Sequence, residues 1–269
     1  MTNTAATKIL IFDSGVGGLS ILQALQRALP ACEYSYASDN QAFPYGTKSA
    51  DFLIDRAHKV LQALIQQTRP DLIVVACNTA STLVLPHIRQ HFTIPIVGVV
   101  PAIKPAALQS KTRVIGLLGT PGTVTRPYTK ALIEEFASDC KVVSVGSAEL
   151  VTLAEQALRG TPPPLEQLGE ILKPLFDNLQ LDTITLACTH FPLIKEALIK
   201  ASPRSVNWLD SGEAIARRVS SLLDTPPSEQ PQQYSRQNTA IFTMPSKDIA
   251  LLESALKELL LTRIEYIQL

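Results

Sequence analysis

Residues 8–22 read KILIFDSGVGGLSIL. The first six form a short apolar run that ends on Asp13. Gly15, Gly17 and Gly18 follow as a turn, and 19–29 resume with helical spacing. An apolar run of this length bounded by glycine reads as a strand buried on both faces. A strand, a tight turn and a helix make the first half of a βαβ unit, and such units build parallel sheets.

The pattern continues along the chain. Residues 33–38 read as a second strand. Residues 52–67 form an amphipathic helix with Phe52, Ala57, Val60, Leu61, Leu64 and Ile65 on its apolar side. A third strand, 71–76, ends at Cys77, and a helix over 81–90 and a strand over 94–99 follow. A second cycle then begins. The expected elements are a strand at 113–118, a turn at Gly119 and Gly122, a helix over 124–136, a strand at 142–145 and helices at 149–158 and 165–179. The strand 183–187 ends at Cys188. After it come a helix near 193–200, a strand at 206–209, a helix at 213–223, strands at 239–243 and 263–269, and a helix over 247–260. TPPP (161–164) and TPPSEQPQQYSRQN (225–238) read as a turn and an exposed connection.

Strands alternating with helices of this length predict an α/β protein. Both cycles run in the same order. In the first, LIFD leads into SGVGG and VVA into Cys-Asn-Thr; in the second, GLLG leads into TPGT and TLA into Cys-Thr-His. We therefore expect two similar Rossmann-like domains with mostly parallel sheets facing a shared cleft. Ligands in such sheets bind beyond the carboxyl ends of the strands, where all four motifs fall.

Composition narrows the class. The 269 residues are 46% hydrophobic, and 24 Lys and Arg balance 24 Asp and Glu. That is enough chain for a large core. Zero net charge argues against nucleic acid or an anionic membrane as a partner, since both select basic patches. No window reaches the 18 or so apolar residues of a membrane span. The opening MTNTAATKILIF has neither the basic region nor the long apolar stretch of a secretory signal. The expected location is cytoplasmic, where Cys32, Cys77, Cys140 and Cys188 remain thiols. No CxxC pair suggests a metal, and no metal or cofactor is expected.

Free cysteine is most often a small buried hydrophobe, which suits Cys32 and Cys140. Cys77 and Cys188 differ, because each closes a strand and opens a polar run, Asn-Thr in one case and Thr-His in the other. A cysteine between a strand end and a helix start lies near unpaired N–H groups that favour thiolate. Two such cysteines suggest either a redox pair or two proton-transfer groups.

Five motifs stand in order along the chain: DSGVGG (13–18), PYG (44–46), ACNTAS (76–81), GLLGTPGT (116–123) and ACTHFPL (187–193). Together they resemble the glutamate racemases of the cofactor-independent aspartate/glutamate racemase superfamily, over essentially the whole chain. Related aspartate racemases usually carry glutamate directly after the second Cys-Thr. His190 stands there in this chain, which favours glutamate, while Phe191 replaces a tyrosine common in the family.

The resemblance implies a discontinuous first domain of 1–98 plus 210–269 and a second of 99–209. It implies racemisation of L- and D-glutamate without cofactor, with Cys77 deprotonating the D form and Cys188 the L form. Asp13 matches the carboxylate near the first thiol. His190 matches the imidazole near the second, with Glu155 as a further partner. Ser14, Pro44, Tyr45, Gly46, Asn78, Thr79, Thr120, Thr123 and Thr189 match substrate-contacting positions, together with Asp13, Cys77, Cys188 and His190. It also implies a homodimer and a supply of D-glutamate for peptidoglycan. Sulfur suits the chemistry, since an unperturbed thiol pKa of about 8.5 lies near working pH. No Lys or Arg stands inside the motifs, so carboxylate recognition would rest on neutral donors.

Other readings compete: an aspartate or other amino-acid racemase, a non-catalytic binding protein of two α/β domains, and a redox protein joining Cys77 to Cys188. DSGVGG lacks the order of a dinucleotide fingerprint and the lysine of a phosphate loop. His87 and His91 lie four apart on a helix, but Ile88 stands where HExxH has glutamate, so the pair reads as a solvated helix face.

Overall fold

The computed structural model describes residues 6–224 and 238–269. All but the last residue of the expected connection at 225–238 lies outside them. The chain divides into two compact units, one of Met1–Val99 with Gly212–Leu269 and one of Val100–Ser211.

The first unit holds a six-stranded sheet in the order β10-β9-β2-β1-β3-β4. Its strands are β1 (Lys8–Asp13), β2 (Glu33–Ser38), β3 (Leu72–Val75), β4 (Ile96–Gly98), β9 (Asn238–Phe242) and β10 (Leu261–Tyr266). Every pairing is parallel. Helices α1 (Leu19–Ala28), α2 (Ala50–Thr68), α3 (Asn78–His91) and α10 (Gly212–Leu222) belong to this unit. One face of α2 places Leu53, Ala57, Val60, Leu61 and Leu64 in the core. Phe52, expected on that face, is 46% exposed, and Leu53 takes the inward position.

The second unit holds a four-stranded, wholly parallel sheet in the order β6-β5-β7-β8. Its strands are β5 (Val114–Gly119), β6 (Lys141–Gly146), β7 (Thr183–Ala187) and β8 (Asn207–Leu209). The helices are α4 (Ile103–Gln109), α5 (Pro121–Thr125), α6 (Pro127–Phe136), α7 (Glu149–Leu158), α8 (Leu165–Phe176) and α9 (Lys195–Ala201). The repeat seen in sequence is thus a repeat of topology. In each unit the first strand pairs the second on one side and the third on the other, and the fourth flanks the third.

The differences from the sequence reading have local causes. The helix expected over 124–136 is two helices, because Pro127 forces Arg126 into extended backbone (φ −69°, ψ 146°). The segment after Cys188 is a 3₁₀ turn, Phe191–Ile194, before α9 begins, with Pro192 in its first turn. The helix expected over 247–260 is likewise two short helices, α11 (Lys247–Leu251) and α12 (Glu253–Glu258). Helix α4 went unread because seven residues with Pro105 inside carry little periodic signal.

Asp182 fixes the entry to β7. Its Oδ2 accepts the Lys111 N–H at 2.7 Å and the Thr112 N–H at 3.0 Å. Burial alone would raise its pKa, but hydrogen bonds led by those from the Thr112 and Lys111 amides outweigh that and hold it at about 2. A folded pKa below the unfolded value of about 3.9 adds stability above pH ~4, which is lost as pH falls through about 2. Asp182→Asn is therefore expected to cost about 1 kcal/mol at neutral pH, after allowance for solvent screening, and progressively less toward pH 2. Denaturant unfolding at several pH values checks this; a penalty unchanged with pH would contradict it.

Candidate active site

In an open parallel sheet, loops diverge at the strand whose two neighbours lie on opposite sides, and ligands bind at the carboxyl edge there. In the first unit that point lies between β1 and β3. In the second it lies between β5 and β7. Each unit carries one of the two cysteine motifs at its own divergence point.

In the first unit Asp13 ends β1 and is fully buried. Its Oδ1 accepts the Ser14 N–H and its Oδ2 the Gly18 N–H, both at 2.7 Å. The carboxylate thus sits against the amides that open α1, where the helix dipole favours negative charge. Gly18 is required for space, since a Cβ there would lie 2.9 Å from the Ala76 Cβ and 3.0 Å from the Asp13 Cβ. Strand β3 passes through Ala76 to Cys77, whose backbone caps α3. Cys77 is 7% exposed, and its Sγ lies 3.8 Å from the Ser14 Oγ. Asn78 and Thr79 are buried beside it, and the Asn78 Oδ1 is a buried acceptor without a hydrogen-bond partner among the described residues. Such an atom is costly unless a donor reaches it, and a bound ligand can supply one. Ser81 braces the turn, donating to the Val75 carbonyl and accepting the Val99 N–H, each at 3.0 Å.

Tyr45 is buried between the exposed Pro44 and Gly46. Its hydroxyl donates to Asp39 Oδ2 at 2.7 Å. Arg56 binds the same carboxylate through Nε (2.9 Å) and Nη2 (2.6 Å). Burial, Asp39 and Cys77 all push the Tyr45 pKa far above its ordinary value, so the phenol keeps its proton.

In the second unit β5 leads into Thr120, whose Oγ1 accepts the Thr123 N–H at 3.2 Å and lies 2.9 Å from the Thr123 Oγ1. Strand β7 leads into Cys188, Thr189 and His190, all buried. The Cys188 Sγ lies 3.8 Å from His190 Nδ1. His190 Nε2 lies 2.9 Å from Glu155 Oε1, and Glu155 Oε2 meets Arg159 Nη2 at 2.7 Å. Arg159 Nη1 also donates to the Glu155 carbonyl at 2.8 Å. A thiol, an imidazole, a carboxylate and a guanidinium therefore form one connected chain. The carboxylate fixes the ring and can stabilise it when protonated. A proton leaving Cys188 has an acceptor at hand.

Three residues of this machinery were not singled out from sequence: Arg159, Asp39 and Arg56. Arg159 had a signal, since it lies four residues after Glu155 on one helix face. Asp39 and Arg56 are 17 apart in different elements, and nothing local links them.

A family model described as Asp/Glu/hydantoin racemase matches residues 11–219, an interval that contains both cysteine motifs. The chain belongs to the Asp/Glu/hydantoin racemase family. Racemases are isomerases, and this member resembles the glutamate racemases closely. It is 48% identical over 237 residues to the glutamate racemase of Klebsiella pneumoniae, covering 88% of this chain and 83% of that one. With the glutamate racemase of Shewanella denitrificans it is 55% identical over 216 residues, covering 80% and 78%. Among solved structures, Escherichia coli glutamate racemase in complex with L-glutamate and the activator UDP-MurNAc-Ala superposes with a TM-score of 0.91 at 42% identity. That match covers 98% of this chain and 99% of that one. The α/β racemase fold is thus common to both.

Proposed function

We propose that this racemase interconverts L- and D-glutamate by two-base proton transfer at the α-carbon, with Cys77 and Cys188 on opposite faces of one bound substrate. Inversion needs an acid and a base on opposite sides of the carbon, because one base tends to return the proton to the face it left. The observation that carries the reading is that each unit buries one thiol at its own sheet's divergence point, with proton-handling groups attached. Similarity to a structure described with L-glutamate supports glutamate as the substrate.

In this reading the units Met1–Val99 with Gly212–Leu269 and Val100–Ser211 act as the Cys77 and Cys188 sides. Cys188 takes the α-proton of L-glutamate as Cys77 delivers one from the other face, and the roles reverse for D-glutamate. His190, held by Glu155, keeps Cys188 ready by accepting its proton. Asp13, set against the Ser14 and Gly18 amides, attends the substrate ammonium, and Asn78 Oδ1 offers a further acceptor. Ser14, Thr79, Thr120, Thr123 and Thr189 supply neutral donors for the carboxylates, with the Pro44–Tyr45–Gly46 loop shaping one wall. The D-glutamate formed would serve peptidoglycan synthesis and so cell shape. The cytoplasmic location and the homodimer belong to the same reading. Among the described residues no helix is long and apolar enough to cross a membrane.

The test is a chiral assay on purified protein with glutamate and aspartate, without added cofactor. Turnover of glutamate with kcat/KM at least about 100-fold above aspartate is expected, since a pocket built to pair a longer carboxylate leaves its donors unpaired with the shorter one. Equal or better turnover of aspartate would replace the substrate assignment. Binding of glutamate without turnover would remove the enzymatic one.

A further inference from the structure

We propose that His58, His87 and His91 form a three-imidazole site for a divalent transition-metal ion, Zn²⁺ above all, that ties α2 to the last turn of α3. In sequence the helical pair His87 and His91 reads as a solvated face because Ile88 stands where HExxH has glutamate, and a metal site there would need a third ligand from elsewhere. Packing of α2 on α3 supplies it. The His58 ring lies 5.4 Å from that of His87 and 5.1 Å from that of His91, and the His87 and His91 rings lie 4.1 Å apart. One ring nitrogen from each residue can be chosen so that all three lie within 4.8 Å of one another. Imidazoles on a tetrahedral Zn²⁺, with Zn–N of about 2.0–2.1 Å, have their nitrogens about 3.4 Å apart. The His87 and His91 rings are stacked at 28° to one another, so the proposal requires side-chain rotation to bring the three nitrogens onto one ion.

Three further features fit a metal better than a simple ring cluster. His91 Nδ1 lies 2.8 Å from the His87 carbonyl. A carbonyl only accepts, so Nδ1 carries the proton and Nε2 presents its lone pair, with the outer-sphere backbone partner common behind metal-bound histidine. Among the described residues His58 Nδ1 is buried with no hydrogen-bond partner, an unmet polar atom on a ring of the cluster. Phe92 stacks on the His58 ring at 5.2 Å and walls that side of the site. The chemistry is borderline: neutral imidazoles without thiolate suit Zn²⁺, Cu²⁺, Ni²⁺ or Co²⁺, and three ligands leave a position for water. The cluster lies toward the end of α3 remote from Cys77, with His87 about 15 Å and His91 about 21 Å along the helix at 1.5 Å per residue. The ion would therefore be structural, stabilising the folded state by binding it selectively.

Tag-free, chelator-stripped protein is titrated with Co²⁺ and then Zn²⁺, beside His91→Ala and His87→Gln. His91 is exposed, so the first variant is expected to fold and to keep its turnover. The proposal predicts one equivalent of Co²⁺ with visible d–d absorption, no sulfur-to-cobalt charge-transfer band, and displacement by Zn²⁺. It also predicts at least a 100-fold loss of affinity in either variant. Zn²⁺ at about a hundredfold excess over Kd should raise Tm by about 5 °C in the parent and not in His91→Ala. Failure of the parent to bind, affinity unchanged in both variants, or a thiolate band pointing to the cysteines would each overturn it.

Discussion

Cys77→Ala and Cys188→Ala are each expected to lose glutamate racemisation by about 10³-fold or more in kcat, with the fold intact. In the proposed mechanism every turnover uses both thiols, one as base and one as acid, so removing either leaves a carbanion that cannot be quenched on the far face or a proton that is never taken. General acid–base groups contribute about 10²–10⁴-fold each. Both residues are almost sealed from solvent, 7% and 6% exposed, so water is poorly placed to substitute. The variants differ from inactive misfolds in a measurable way. Cys188→Ala keeps Cys77, and should wash the α-proton of D-glutamate into D₂O slowly without forming the L enantiomer. Cys77→Ala should do the mirror experiment on L-glutamate. Substantial inversion by either variant would contradict the two-base reading.

The second large effect is expected at His190. Its Nδ1 lies 3.8 Å from the Cys188 Sγ, and its other nitrogen is fixed by Glu155 at 2.9 Å. In the proposed mechanism His190→Ala removes the group that accepts the thiol proton, and it takes one partner from the buried Glu155. We expect kcat to fall by about 10²–10³-fold. Glu155→Gln should cost less, about 10-fold, because the amide still positions the ring while no longer stabilising its protonated form. The equilibrium constant between enantiomers is one, so kcat/KM must fall equally in both directions whichever half-site is damaged. The sharper readout is therefore the pH profile. Loss of the imidazole should change the pH profile of turnover, which reports the coupled acid and base groups together. A His190→Ala enzyme with a parental pH profile would show that His190 plays no proton-handling part.

Much of this architecture was legible from short-range pattern. β1, β2 and β7 were readable residue for residue because each is a compact run whose ends are marked by polar or glycine residues. The repeat of motif order announced the repeat of strand order. Boundaries failed where a single residue overrode periodicity, as at Pro127, or where a helix turned one residue further than its apolar stripe suggested, as at Phe52 and Leu53. The cysteine motifs were visible because thiols in polar company are unusual. Of the groups behind them, Asp13, His190 and Glu155 were named only through the family resemblance, and Arg159 was not singled out although its spacing carried a signal. Arg159 shares a helix with Glu155, whereas the Tyr45–Asp39–Arg56 network and the His58–His87–His91 cluster arise from packing of distant segments. Spacing along a chain carries no record of such meetings.

The most direct measurement of the central claim is isotopic. L-glutamate is incubated with the enzyme in D₂O and stopped at a few per cent conversion, and the α-position of both enantiomers is examined by mass spectrometry after chiral separation. Two thiols acting from opposite faces predict D-glutamate that is almost fully deuterated beside residual L-glutamate that retains its proton. Comparable label in the recovered L-glutamate and the product, or D-glutamate that keeps the original proton, would mean that one group serves both faces.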